Sequence, residues 1–186
     1  MVYLTALWLP IVLSAVAAFS ASSILHMVLK YHRTDYNVMP GEENVMAAMR
    51  SENVAPGHYY LPHCVDMKEM GNPEVKARFE KGPVAFVTVL PSGLPSMGKP
   101  LVSWFVFCLA IGVFVAYLAG RTLGPATDYL TVFRIAGTTA FLGYAGSAAT
   151  ESIWKGQPWS TSFKHMFDGL IYALLTDGVF GWLWPS

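Results

Sequence analysis

Charge is what this sequence has least of. Asp, Glu, Lys and Arg make up 13% of its 186 residues, about half the ~25% of an average soluble domain. There is no net charge either, because 12 basic residues offset 12 acidic ones. A chain without a positive excess lacks the electrostatic footprint of a nucleic-acid binder. A neutral chain that is 54% hydrophobic, with a mean hydropathy of +0.42, would associate and precipitate as a free soluble domain. Cysteine is scarce too. Cys64 and Cys108 are the only two, and a disulfide between them is not expected in a reducing cytoplasm. Recognisable catalytic signatures are missing: there is no nucleophile elbow, paired-glutamate helix motif, HExxH, CxxC or dinucleotide fingerprint.

The few charges are unevenly placed. None precedes Lys30, none lies within 101–120, only Arg134 lies within 129–149, and only Asp168 and Asp177 lie within 166–186. Sixteen of the 24 fall in 30–99, eight of each sign. A bilayer core of about 30 Å needs about 20 helical residues at 1.5 Å each. Four stretches have that length: roughly 4–29, 101–120, 129–150 and 165–184. Backbone groups in lipid must be paired within their own segment, so these stretches should be helices. The expected fold is an all-α membrane protein with four transmembrane helices and a small α+β cytoplasmic insert between the first and second. The expected division is 1–29 for the first helix, 30–100 for the insert and 101–186 for three further helices.

The first span does not have the pattern of a secretory signal, since no basic region precedes it and its apolar run is too long. Its basic flank, Lys30 with His32 and Arg33, follows it. Basic residues stay cytoplasmic, so both termini are expected outside, with 30–100 and 151–164 inside a bacterial-type inner membrane. Lys155 and Lys164 agree with this. Trp154 and Trp159 at one end, and Trp182 and Trp184 at the other, suit the aromatic belts of the two interfaces.

Within the insert, Val45, Met46 and Met49 have helical spacing. Residues 58–61 form a short aromatic strand. Asn72 with Pro73 starts a helix that Gly82-Pro83 ends. Residues 84–90 are β-branched and apolar, the clearest strand in the chain. An insert of this size has little core of its own.

Several constellations carry candidate chemistry. Residues 93–99 fit G-x-x-x-x-G-K after a strand, but Pro100 occupies the place of the magnesium-binding hydroxyl. Pro95 and Pro100 also remove backbone donors, so no nucleotide is expected. His58, His63 and Cys64 lie close enough in sequence to contribute to a zinc site, with His32 a conceivable fourth ligand. His26 and His165, at the cytoplasmic ends of two spans, could ligate a haem. Arg134 lies about 9 Å inside Asp128, and Asp177 about 10 Å inside Trp184, at 1.5 Å per residue. The two therefore fall at matched depth on adjacent antiparallel spans. An ionisable residue within a span is either an ion or proton site or a structural pair that locks two helices, and the structural pair is the favoured expectation.

His165, Gly169, Ala173, Asp177 and Gly181 recur every four residues and share one helix face. Ser14, Ala18 and Ser22 do the same in the first span, and Thr139, Gly143, Ser147 and Glu151 in the third. Small residues at this spacing permit close helix packing. Asp168, nine residues before Asp177, falls on the opposite face. The functional expectation is a non-enzymatic accessory or scaffold subunit of a larger membrane complex, or a homo-oligomer. Its partners would be the lipid bilayer and other membrane chains or itself. The alternative is a redox or ion-handling protein using His26/His165 or Arg134/Asp177. A weaker third reading is a lipid-active enzyme whose site lies near Glu151, His165 and Asp168.

Overall fold

A computed structural model describes residues 1–64 and 66–186. The chain is mostly helical with one small sheet. In chain order the elements are α1 (Trp8–Ser23), α2 (Glu42–Ser51), β1 (Gly57–Leu61), α3 (Pro73–Lys81), β2 (Ala85–Val89), α4 (Gly98–Thr122), α5 (Tyr129–Ala145), α6 (Ala148–Lys155) and α7 (Trp159–Trp182). They form two compact units, Met1–Tyr36 with Ser96–Ser186, and Asn37–Pro95.

In the smaller unit, β1 and β2 pair antiparallel with Tyr59 opposite Val87. The helix starts where the side chain of Asn72 accepts from the Glu74 amide at 2.9 Å, with Pro73 in the first turn. That is the capping chemistry its sequence calls for. Gly82 ends the helix at φ +58°, a conformation that favours glycine. No residue of α2 or α3 is fully buried, as the small size implies.

In the larger unit, α1 is entered by a 3-10 turn, Leu4–Leu7, and leaves through a wider π turn, Ile24–Val28. Two helices, Leu4–Val28 and Gly98–Thr122, are long and apolar enough to cross a membrane. The expected third span stops early. Gly146 and Ser147 break it, leaving α5 with 17 residues, about 25 Å, followed by the eight-residue α6. In α7 the helix starts earlier than its apolar run and takes in Lys164, so it is 24 residues long.

Helix α7 packs on α5 and α1, and α4 packs on α1 and α5. The Val2 amide donates to Gly120 O at 2.8 Å, and the Ala126 amide donates to Pro185 O at 2.9 Å. Both chain ends therefore lie at one end of this bundle. The π turn, residues 31–36, α6 and the start of α7 lie at the other. Residues 31–36 were expected to open the insert, yet they belong to the helical unit.

Side-chain size is sorted across the bundle. Ala15, Ala18, Ala116, Ala119, Ala136, Ala140 and Ala173 are buried, beside Leu7, Val115, Val132 and Phe180. Val106, Phe107, Phe114, Leu118, Leu142, Leu170 and Leu174 are exposed. Small inner residues let the backbones approach closely. A Cβ on Gly112 would lie 3.2 Å from Ile11 O, and one on Gly169 would lie 2.8 Å from the Ala145 Cβ. Of the expected packing residues, Ser14, Ala18, Gly169 and Ala173 are buried. Gly181 lies against the Tyr129 ring.

Candidate functional site

The π turn of α1 sets the site's first element, and such widened turns recur at functional sites. It carries His26, whose Nδ1 lies 3.1 Å from Ser22 O. The chain then folds back through the 3-10 turn Tyr31–Thr34. Lys164 of α7 holds this turn. Its ammonium donates to Tyr31 O at 2.8 Å, to Thr34 Oγ1 at 2.8 Å and to Asp35 Oδ1 at 2.6 Å.

From Asp35 a chain of polar contacts runs inward. His32 Nδ1 lies 2.6 Å from Asp35 Oδ2, and His32 Nε2 lies 2.8 Å from Asp168 Oδ2. The Tyr31 hydroxyl donates to Asp168 Oδ1. His26 Nε2 lies 3.8 Å from Asp168 Oδ2. The His32 ring stacks on His26 at 4.4 Å and on His165 at 5.4 Å between centroids. Asp168 itself is only 2% exposed.

The protonation of two members follows from their surroundings. Burial raises the affinity of Asp35 for a proton, but the bonds from Lys164 and His32 outweigh it and hold the carboxyl below its ordinary value. Burial, then the bond to Asp168, pushes the Tyr31 phenol far above its ordinary value, so it stays a donor.

A cavity of about 350 Å³ opens beside this cluster, with room for several waters. His26, His165, Asp168, Glu151, Trp104 and Tyr172 are among its walls. Trp104 Nε1 and the Tyr172 hydroxyl are buried there without a hydrogen-bond partner among the described residues. One ligand atom from each of His26, His32 and Asp168 lies within 4.8 Å of the others, a group able to hold a metal ion.

The expected site residues separate into three places. His26 and His165 do come together, but as part of a group of three imidazoles and one carboxylate, not as the isolated pair of a bis-histidine haem site. Ser22 contributes its carbonyl there. Glu151, His165 and Asp168 share the cavity wall, while Glu151 is also bonded by Lys155 at 2.8 Å.

Arg134 and Asp177 border one groove between α5 and α7, as their matched depth requires. They do not close into an ion pair among the described residues. Arg134 is exposed, whereas Asp177 is 2% exposed with Oδ1 unpartnered. Asp177 is instead pressed against Gly137, where a Cβ would overlap its carboxylate.

The third set lies in the smaller unit and gathers no ligand group among the described residues. His58 Nδ1 lies 3.1 Å from Thr88 Oγ1. The Cys64 thiol donates to Asp66 O at 3.3 Å. Desolvation, then the nearby Glu69 carboxylate, holds that thiol above its ordinary pKa, which disfavours the thiolate a metal needs.

Sequence reading missed Tyr31, Asp35 and Lys164 as site members, placed His32 as a basic flank and as a conceivable fourth ligand beside His58, His63 and Cys64, and left Asp168 out of the favoured site. One signal was present: His26 stands near the end of an uncharged span, and His32 and Asp35 follow directly after it. No known protein family, curated protein or solved structure matches the chain.

Proposed function

We propose that the chain is a multi-pass integral membrane protein of four spans that handles a cation or proton at Asp168. Its outward-facing Phe, Leu and Val side chains with a small-residue interior fit lipid better than water, where so large an apolar surface is a liability. In this reading α5 and α7 join the two more apolar helices as spans. The end carrying Lys30, Lys155 and Lys164 faces the cytoplasm. Both chain ends face outside, and the membrane is a bacterial-type inner membrane.

The observation that carries the functional part is the charge count around Asp168. Lys164 is the only permanent cation in the contact chain, and it is bound to Asp35. Among the described residues Asp168 is met only by His32, His26 and Tyr31. With neutral imidazoles the cluster carries one negative charge, in a place where a structural lock would have used Lys or Arg. An ionisable residue left so within a span is kept for function rather than stability. This favours an ion-handling protein over a scaffold alone.

Asp168→Asn tests it. The amide still accepts from Tyr31, so the variant should fold in detergent with a melting temperature equal to or above that of the parent. It should also lose any rise in melting temperature that added cations or protons give the parent. A loss of the size seen when a buried structural pair is broken, about 3–5 kcal/mol, would make Asp168 a structural lock and contradict the proposal.

A further inference from the structure

We infer that the cation is a divalent transition metal of the zinc class, held by His26 Nε2, His32 Nε2 and Asp168 Oδ2. This rests on the ion-handling reading above and specifies its ligand.

The first support is the direction of every other ring and carboxylate contact. Ser22 O can only accept, so His26 Nδ1 carries the proton in that bond and leaves Nε2 with a lone pair. Asp35, ionised beside Lys164, can only accept as well, so His32 Nδ1 donates to it. His32 Nε2 is then also a lone pair. Asp168 Oδ1 is taken by the Tyr31 hydroxyl, which leaves Oδ2 open. Two imidazole nitrogens and a carboxylate oxygen thus lie within 4.8 Å of one another, and because the His26 and His32 rings are stacked nearly parallel, a shared cation would turn one of them toward it. Metal-bound histidines characteristically donate their second nitrogen to a carbonyl or a carboxylate, and here one does each.

The second support is spacing. Ligand bonds of about 2.0–2.1 Å in a tetrahedral site separate neighbouring donor atoms by about 3.3 Å. The two separations to Asp168 Oδ2, 2.8 Å from His32 and 3.8 Å from His26, lie on either side of that value. The third support is the cavity. Three protein ligands leave the fourth position open, as in catalytic rather than structural zinc sites. The unpartnered Tyr172 hydroxyl and Trp104 Nε1 line the same cavity, where they can donate to a water or an anionic ligand on the metal. Two imidazoles and one carboxylate are a borderline donor set that suits Zn²⁺ and Co²⁺ and gives no preference to Mg²⁺.

The test uses the full chain in detergent with its affinity tag removed, and the probes are Zn²⁺ in equilibrium dialysis and Co²⁺ in visible absorption. One ion per chain is expected, with Co²⁺ giving the intense bands of a four-coordinate site. His26→Ala removes a side chain that is 43% exposed, so it should leave the fold intact and weaken Zn²⁺ at least tenfold. Asp35→Asn, outside the ligand set, should weaken it about 10- to 100-fold. A double His58→Ala, His63→Ala variant should bind as the parent does. Binding that survives His26→Ala and Asp168→Ala together, or that is lost in the His58/His63 variant, overturns the site. A response to Na⁺, Mg²⁺ or protons alone that still depends on Asp168 also overturns it, while leaving the ion-handling reading standing. No response to any cation contradicts both.

Discussion

Asp35 decides how the site is held together. It accepts from a lysine and a histidine at 2.6 Å each, and its carboxyl is held below the ordinary value of 3.8. A depressed carboxyl pKa contributes stability that is fully present above the ordinary value and is lost as pH falls through the depressed one. The tether of residues 31–36 to α7 should therefore not change between about pH 8 and pH 5 and should open only below about pH 4. Hydrogen exchange of these amides, corrected for intrinsic rate, measures the effect. Asp35→Asn should raise their local opening about ten- to a hundredfold, from roughly 1.5–3 kcal/mol per charged hydrogen bond. Equal protection in parent and variant would contradict the tether. This residue shows the limit of sequence reading. Asp35 and Lys164 are 129 positions apart, and neither sits in a spacing that signals a ligand set, so only the fold-back of one short turn joins them.

At the scale of elements, α7 explains why one aspartate was misjudged. Helical geometry correctly puts Asp168 and Asp177 on opposite faces, and a helix covered on one side would then expose one of them. Here α7 is packed by both α5 and α1, so both are buried. The small-residue face at Gly169, Ala173 and Gly181 was legible because close packing needs that spacing. The Arg134–Asp177 pairing was not, because depth fixes height in the bundle but not which way an arginine extends. Gly137 tests the observed packing. Gly137→Ala drives a methyl into Asp177 and should destabilise the protein by about 1–3 kcal/mol. Adding Asp177→Ala should recover most of that loss, a coupling expected only for residues in contact. Unfolding curves in detergent of the two single variants and the double variant check this. A neutral Gly137→Ala would mean that α5 and α7 do not meet there.

For the molecule as a whole, the uneven distribution of charge foretold more than any motif did. It separated a small polar α+β unit from an apolar helical one, and the strands and capped helix of the insert fall where turn and capping residues place them. The boundary moved from 30–100 to Asn37–Pro95, because residues 31–36 are recruited by Lys164 and Asp168. The same recruitment joins His26 and His165 to His32 and turns two separate end-of-span histidines into one cluster beside a cavity. Ser147 lines that cavity and takes no part in the ligand set. In a Cys64→Ser background, with Cys108 buried, Ser147→Cys reports which side of the membrane the cavity faces. The decisive measurement is labelling of this variant by a membrane-impermeant maleimide in inverted and right-side-out inner-membrane vesicles. Rapid labelling in inverted vesicles and none in right-side-out ones is the expected result. Equal labelling in both, or recovery of the protein in the soluble fraction, would contradict a membrane-embedded site open to the cytoplasm.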